Sequence, residues 1–141
     1  MIKTKHSLIE KIVLQQIRDD CVMCIAESKK QIPFLIKRVY YMVHNTPGLP
    51  RGYHTHKELN QVIFCIQGSV KMVLDDGHHR EEIILDEPAT GLMLRPMVWH
   101  EMHDINQDTI MLVFASAGYD ESDYIRDYAS FKMKVDELCN L

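Results

Sequence analysis

Among the residues of this chain that could do chemistry, His54 and His56 stand out, in the run Arg51-Gly52-Tyr53-His54-Thr55-His56-Lys57. On an extended strand side chains alternate with a period of two, so both imidazoles project from one face. At that spacing they are either two surface histidines on an edge strand or two rings sharing a pocket. In a pocket with no metal ion, paired imidazoles suit proton transfer. With an ordinary pKa of about 6.5, each can take up and return a proton near neutral pH, and a positioned acid or base contributes roughly 10²–10⁴ in rate. That chemistry points to isomerisation or epimerisation beside a carbonyl. The enolate or enediolate so formed needs a donor at its oxygen, which a tyrosine, a second histidine or an arginine supplies.

The elements that must position this pair read mostly as short β segments divided by turn signals. Nine strands are expected over residues 9–15, 22–27, 34–43, 61–67, 69–75, 81–85, 91–95, 98–104 and 109–116, which suggests a barrel or sandwich. Asp76-Gly77 between two β-rich runs predicts a type I′ hairpin pairing Val70–Asp75 with Arg80–Leu85, because both residue types tolerate positive φ. From Asp120 the period changes. Tyr124, Tyr128, Phe131, Val135 and Leu138 recur at steps of four and three, the packing stripe of a helix that Asp120 caps, with Glu121 and Asp123 at the positive end of its dipole. On that spacing the tyrosines read as core.

A chain of 141 residues with 46% apolar and 26% charged residues describes one soluble domain, residues 1–141, which folds without needing disulfides or a structural metal. The formal net charge of −4 argues against bulk binding to nucleic acid or anionic membranes. Any anionic partner must be small and locally held. The apolar window 109–117 is far shorter than the roughly 20 residues that cross a bilayer, and Met1–His6 leads into no long apolar run. Together with four cysteines among nine methionines, this fits a reducing cytoplasm. Cys21-x-x-Cys24 imitates a metal motif, but no second pair accompanies it, and positions three apart on a strand face opposite sides. Met72, Met93 and Met111 read as core filler, and His44, His78 and His79 as solvated.

The spacing Gly48, His54, His56, Gln61, Gly68 resembles the first motif of the cupin superfamily, whose fold is a small β-barrel or jelly roll. In metal-binding cupins the Gln61 position is a glutamate ligand, and a neutral amide there removes the anionic oxygen a divalent ion would use. The second motif is similarly eroded, with Gly91, Pro96, His100 and His103. Several further blocks follow in one order: Ile32-Pro33-Phe34 to Lys37-Arg38-Val39-Tyr40-Tyr41, then Leu74-Asp75-Asp76-Gly77, Trp99-His100-Glu101-Met102-His103-Asp104, and Tyr119 to Tyr128. Together with the histidine motif they resemble the nucleotide-sugar 3,4-ketoisomerases, metal-independent cupins acting on dTDP-4-keto-6-deoxyglucose. The resemblance covers roughly residues 27–131.

That resemblance implies an all-β cupin-like jelly roll with a short C-terminal helix, no cofactor and no metal. It implies an isomerase that moves a ketone from C4 to C3 of a dTDP-linked hexose. His54 is the implied base at C3, His56 the residue that relays or returns a proton at C4, and Tyr41 and Arg126 match positions in or near the active site. His100 falls in a block lining the same barrel and hints at the fucose-type branch. No phosphate loop is present, so the diphosphate falls to basic side chains, with Arg51, Lys57, Lys37 and Arg38 as candidates. Tyr40, Tyr53 and Trp99 are candidate walls for thymine. The resemblance also implies a homodimer with exchanged strands, for which residues 9–27 are available.

The chain departs from the family at its usual Asp-x-Arg-Gly-x-Leu segment, matched only loosely by Arg18-Asp19-Asp20-Cys21-Val22-Met23. Two other readings stand beside the isomerase. One is a metal-dependent cupin using His54, His56, Gln61 and a later histidine; the other is a module that binds a nucleotide sugar without turning it over. A 3,5-epimerase, also metal-free, would leave the ketone at C4.

Overall fold

The structure, a computed structural model, describes residues 7–140; Met1–His6, and with them the reading of the N-terminal leader, and Leu141 lie outside the described residues. Its strands are β1 (Lys11–Val13), β2 (Gln15–Arg18), β3 (Val22–Ile25), β4 (Arg38–Met42), β5 (Arg51–His56), β6 (Gln61–Gln67), β7 (Val70–Asp75), β8 (Arg80–Leu85), β9 (Thr90–Leu94), β10 (Trp99–His103), β11 (Ile110–Ala115) and β12 (Tyr124–Ile125). They form two antiparallel five-stranded sheets, ordered β1-β9-β6-β11-β4 and β12-β5-β10-β7-β8, with β2-β3 as a separate hairpin. This is the two-sheet cupin-like architecture expected.

Period-two alternation explains how the sheets meet. Ile63 and Cys65 of β6, Leu92 and Leu94 of β9, and Met111 and Val113 of β11 pack inward against Met72 and Leu74 of β7 and Met102 of β10. Intervening residues Val62, Phe64 and Met93 face the other way and are covered by Leu14 and Ile32, making a second cluster outside the first sheet. Met72, Met93 and Met111 are all buried, as expected.

Four local expectations are revised. The hairpin register holds, Val70 opposite Leu85 through Asp75 opposite Arg80. Its loop, however, is the four residues 76–79 rather than a two-residue turn, because the Asp76 carboxylate accepts hydrogen bonds from the amides of both His78 and His79. Of these two histidines His78 is exposed, whereas His79 is largely covered beside Asp76. The expected strand 34–43 is extended only over β4, and residues 9–15 break at Leu14, whose amide turns to the Ala89 carbonyl.

The helix α1 spans Tyr128–Cys139, not a segment from Asp120. Asp120 caps a 3-10 turn over Glu121–Asp123, and the chain then extends into β12, which pairs Tyr124 with His56 and Ile125 with Thr55. Tertiary pairing thus overrides the 3.6-residue period. Only Phe131 and Val135 of the expected stripe are buried on α1, against Trp99 and Ile125, while Leu138 remains 48% exposed. Gly77 makes room for this packing: at φ +90, a Cβ there would stand 2.9 Å from Val135 Cγ1.

The cap of α1 is Asp127, whose carboxylate accepts from the Ser130 amide at 2.9 Å. Asp127→Ala is therefore expected to lower the urea midpoint of unfolding, as loss of an N-cap does. An equal or larger loss in Asp120→Ala with none in Asp127→Ala would refute this assignment of the helix start.

Candidate active site

The inner face of the sandwich opens into a cavity of about 450 Å³. β5 supplies its catalytic candidates through a local irregularity. In its pairing with β10, His100 opposes His54 and Glu101 opposes Gly52, so Tyr53 is an extra residue, a β-bulge. Gly52 (φ +88) and Tyr53 (φ +54) are both left-handed. Strict alternation would put Arg51 and His54 on opposite faces; the bulge resets the parity, and both line the cavity. It also requires glycine at 52, where a Cβ would meet the His100 carbonyl oxygen at 3.0 Å.

Three imidazoles cluster at the cavity base. The ring centroids of His54 and His56 are 5.1 Å apart, so the pair does share one face, and His54 lies 4.4 Å from His100. His54 Nδ1 is 2.9 Å from the Gly52 carbonyl, which can only accept. Nδ1 therefore carries the proton, and Nε2 is the basic nitrogen. His56, 3% exposed, instead lines a smaller adjoining cavity of about 220 Å³ that shares Arg38 and Tyr124 with the first. Its Nδ1 lies 3.3 Å from Asp123 Oδ2 without the alignment of a hydrogen bond. Asp123 is itself held by the amides of Glu58 and Leu59.

Alternation on β4 decides among its residues: Arg38 and Tyr40 line the cavity, whereas Tyr41 is 67% exposed on the outer face. The expectation of Tyr41 at the site is corrected to Tyr40, whose hydroxyl donates to Gln61 Oε1 at 2.6 Å. Lys57 also lies outside the cavity, donating to the Ser122 carbonyl at 3.0 Å. Arg51, His100 and Arg126 do line it. Arg126 pairs with Glu121 at 2.9 Å and stacks its guanidinium 4.1 Å from the Tyr124 ring centroid. Arg38 and Arg51 have no carboxylate partner among the described residues, and Arg38 Nε is buried without a hydrogen bond. Tyr53 and Trp99 face away, lining a separate outer cavity with Arg80 and Glu101.

The sequence reading missed Tyr124. Its ring lies 5.1 Å from His54 and 4.2 Å from His56, and it lines both inner cavities. Helical spacing placed it in a core stripe, and only the pairing of β12 with β5 brings it here. Its neighbourhood to Arg126 in sequence was the available signal.

As an ion site the arrangement fits poorly. Gln61 Oε1 is engaged by Tyr40 and His54 Nδ1 by a carbonyl. Among the described residues, the only three His, Cys, Asp or Glu side chains with ligand atoms within 4.8 Å of one another are Asp19, Asp20 and Cys21, exposed at the tip of the β2-β3 hairpin.

A family profile described as "FdtA: WxcM-like, C-terminal" matches residues 5–136. A TDP-4-oxo-6-deoxy-α-D-glucose-3,4-oxoisomerase from Aneurinibacillus thermoaerophilus is 52% identical over 112 residues, 79% of this chain and 81% of that protein. Among solved structures, the sugar 3,4-ketoisomerase QdtA from Thermoanaerobacterium thermosaccharolyticum, crystallised with TDP, superposes with a TM-score of 0.89 at 39% identity, over 93% of this chain and 96% of that one. The TDP-quinovose 3,4-ketoisomerase WlaRB from Campylobacter jejuni gives 0.84 at 39%, over 89% and 97%.

Burial sets the protonation state of the three imidazoles. Desolvation holds His54 below its ordinary value, opposed by the Gly52 carbonyl and reinforced by the Arg126 charge. It lowers His56 to about 4, with His54 adding to the effect and Asp123 opposing it, and lowers His100 well below 6.5. All three are therefore neutral at pH 7. In the unfolded chain they regain ordinary values near 6.5, so below that pH the unfolded state binds more protons than the folded one. The stability contribution is complete above pH 6.5 and is lost as pH falls toward the folded values. The urea midpoint is expected to decline from pH 6.5 to 4.5 and to decline less steeply in His56→Gln; a flat wild-type midpoint over that interval contradicts burial of neutral histidines.

Proposed function

The chain belongs to the FdtA family, and on that premise we propose that it is an isomerase moving the keto group of a dTDP-linked 4-keto-6-deoxyhexose from C4 to C3, a step in deoxysugar biosynthesis. The observation that carries this reading is a base of fixed tautomer at the cavity. His54, with Nδ1–H fixed on the Gly52 carbonyl, presents an unprotonated Nε2 beside His100 and Tyr124. Such a group removes a proton from the carbon next to a ketone and returns it to the neighbouring carbon. His56, with its ring 5.1 Å from that of His54 and its Nδ1 3.3 Å from Asp123, is the residue that relays or returns a proton at C4.

Charge distribution supports a diphosphate ligand. Arg38 and Arg51 line the cavity without carboxylates to neutralise them, and a planar guanidinium suits bidentate contact with phosphate oxygens. Tyr40, stacked beneath the Arg38 guanidinium at 5.3 Å, is the thymine wall that its placement favours. No metal takes part in this reading, consistent with the engaged Gln61 amide. The four thiols are free, in keeping with a reducing cytoplasm.

A second copy of this chain is the partner we propose for the outer face of the first sheet. Val39, Tyr41 and Ile66 are exposed there, and the hairpin adds Ile17, Val22 and Met23. An apolar patch of this kind marks an interaction surface, and the N-terminal strands lie beside it. This gives Tyr41 a role at a subunit contact.

Incubation with dTDP-4-keto-6-deoxyglucose in D₂O is expected to yield a 3-keto product by NMR, with deuterium at the exchanging carbon and no effect of EDTA. His54→Asn should cost about a hundredfold or more in kcat while retaining dTDP binding. Turnover that survives this change, or dTDP binding with no product from the wild type, would sink the isomerase reading. Light scattering should give twice the chain mass, with Tyr41→Glu shifting it toward one chain; a wild-type monomer at micromolar concentration removes the proposed contact.

A further inference from the structure

We propose that Tyr53 is a positioning residue whose ring, held on the outer face of the second sheet, keeps the β5 bulge in the shape that aims His54. This deepens the isomerase reading above and rests on it. The bulge sets two consecutive residues in the left-handed region, Gly52 at φ +88 and Tyr53 at φ +54. Glycine is required at 52 by the close His100 carbonyl. At 53 a bulky side chain with positive φ is a strained outlier, which persists only where its surroundings hold it. A glycine there would remove the strain, yet a tyrosine stands directly before the base.

What holds it is a polar network on the side of the sheet away from the substrate. Tyr53 lines the outer cavity with Trp99, Glu101, Arg80 and Tyr128. Its ring meets that of His103 edge-on, with centroids 5.8 Å apart at 65°. His103 Nε2–H donates to Glu101 Oε1 at 2.9 Å, and the Tyr53 hydroxyl oxygen lies 3.4 Å from the same nitrogen. Glu101 is 7% exposed, and its other oxygen accepts from Trp99 Nε1 at 2.9 Å and Arg80 Nη2 at 2.6 Å. Arg80 continues to Asp75 at 3.0 Å. Three donors engage this buried carboxylate, which makes it a hub rather than a base or an ion ligand. Asp75, Arg80, Trp99, Glu101 and His103 belong to β7, β8 and β10. Tyr53 is the side chain that ties β5 to them.

The tie acts on the base through a single residue. His54 Nδ1–H is held by the Gly52 carbonyl at 2.9 Å, a contact between the residues on either side of Tyr53. Rotation about the Tyr53 φ swings the Gly52 carbonyl relative to the imidazole, so holding the ring holds that hydrogen bond. With the ring gone, the bulge is free to relax toward regular pairing with β10. The carbonyl then moves off Nδ1, and Nε2 loses its aim; a misplacement of about 1 Å costs roughly a hundredfold in rate. Tyr53 does not line the inner cavity, so ligand affinity there is left in place.

The test compares wild type, Tyr53→Gly and Tyr53→Phe with dTDP-4-keto-6-deoxyglucose, reading kcat, KM, dTDP affinity and thermal melting, with nitrogen NMR of the imidazoles reporting the His54 tautomer. Glycine tolerates the left-handed backbone and deletes the ring. Tyr53→Gly is expected to lower kcat about tenfold or more, with KM and dTDP affinity within about threefold of wild type. His54 should move from a pure Nδ1–H signature to a mixed one. Tyr53→Phe, which restores the ring, should bring kcat back to within about threefold of wild type. A Tyr53→Gly loss smaller than about tenfold in kcat overturns the proposal. So does an unchanged His54 signature, a loss confined to melting, KM or dTDP affinity, or a Tyr53→Phe enzyme as slow as Tyr53→Gly. Should Tyr53→Gly fail to fold, His103→Ala removes the ring's partner without altering β5. A loss there of about tenfold or more in kcat at unchanged dTDP affinity supports the role, and a smaller one overturns it. An inactive wild type instead refutes the isomerase reading, while the His54 tautomer still tests the hold on the bulge.

Discussion

The antiparallel pairing of β5 with β10, broken by one extra residue at Tyr53, is the constraint from which the inner site follows. Two consecutive left-handed residues cost strain that a packed sheet must hold in place. In return, His54 sits against His100, its Nδ1 finds the Gly52 carbonyl, and Arg51 turns to the same face as the histidines. A regular strand would keep the hydrogen-bond ladder and lose the arginine. The position also explains Gly52 sterically, because the His100 backbone approaches too closely for any Cβ.

Pairing on the opposite edge of β5 completes the arrangement. β12 is only two residues long, yet it places Tyr124 beside His56 in the ladder and turns Arg126 back over the tyrosine ring. The 3-10 turn before it, capped by Asp120, sets Asp123 behind His56, and Asp123 in turn accepts two amides from the chain leaving β5. The cavity wall is thus closed by a segment that grips the C-terminal end of β5 and the turn that follows it. Positive charge is distributed unevenly across it: Arg126 is matched by Glu121, while Arg38 and Arg51 are unmatched and face the opening. Burial keeps the imidazoles neutral among these cations, so the base stays available while the guanidiniums remain free for an anionic ligand.

A neutral amide at Gln61 has a structural counterpart. Its oxygen accepts the Tyr40 hydroxyl, so the position that could have ligated an ion orients a phenol instead. The outer face of the same sheet is different in character. Alternation that turns Arg38 and Tyr40 inward exposes Val39 and Tyr41, and one strand thereby serves the cavity and a proposed subunit contact at once.

Much of this was legible from the chain alone. The strand-rich pattern, the buried methionines, the hairpin register and the shared face of His54 and His56 depend on period two and turn chemistry, which act between near neighbours in sequence. The ordered blocks also carried the family. Other features were decided only by tertiary structure. The parity of Arg51 depends on a bulge that exists because β10 lies alongside, and Tyr40 rather than Tyr41 faces inward because β11 fixes the register of β4. Tyr124 left its apparent helical stripe because β5 offered unsatisfied backbone groups, and hydrogen bonds between distant segments outweighed a local period. Residue types and spacing determined which chemistry was possible; which side chains meet was set by long-range pairing, whose free energy local sequence does not encode.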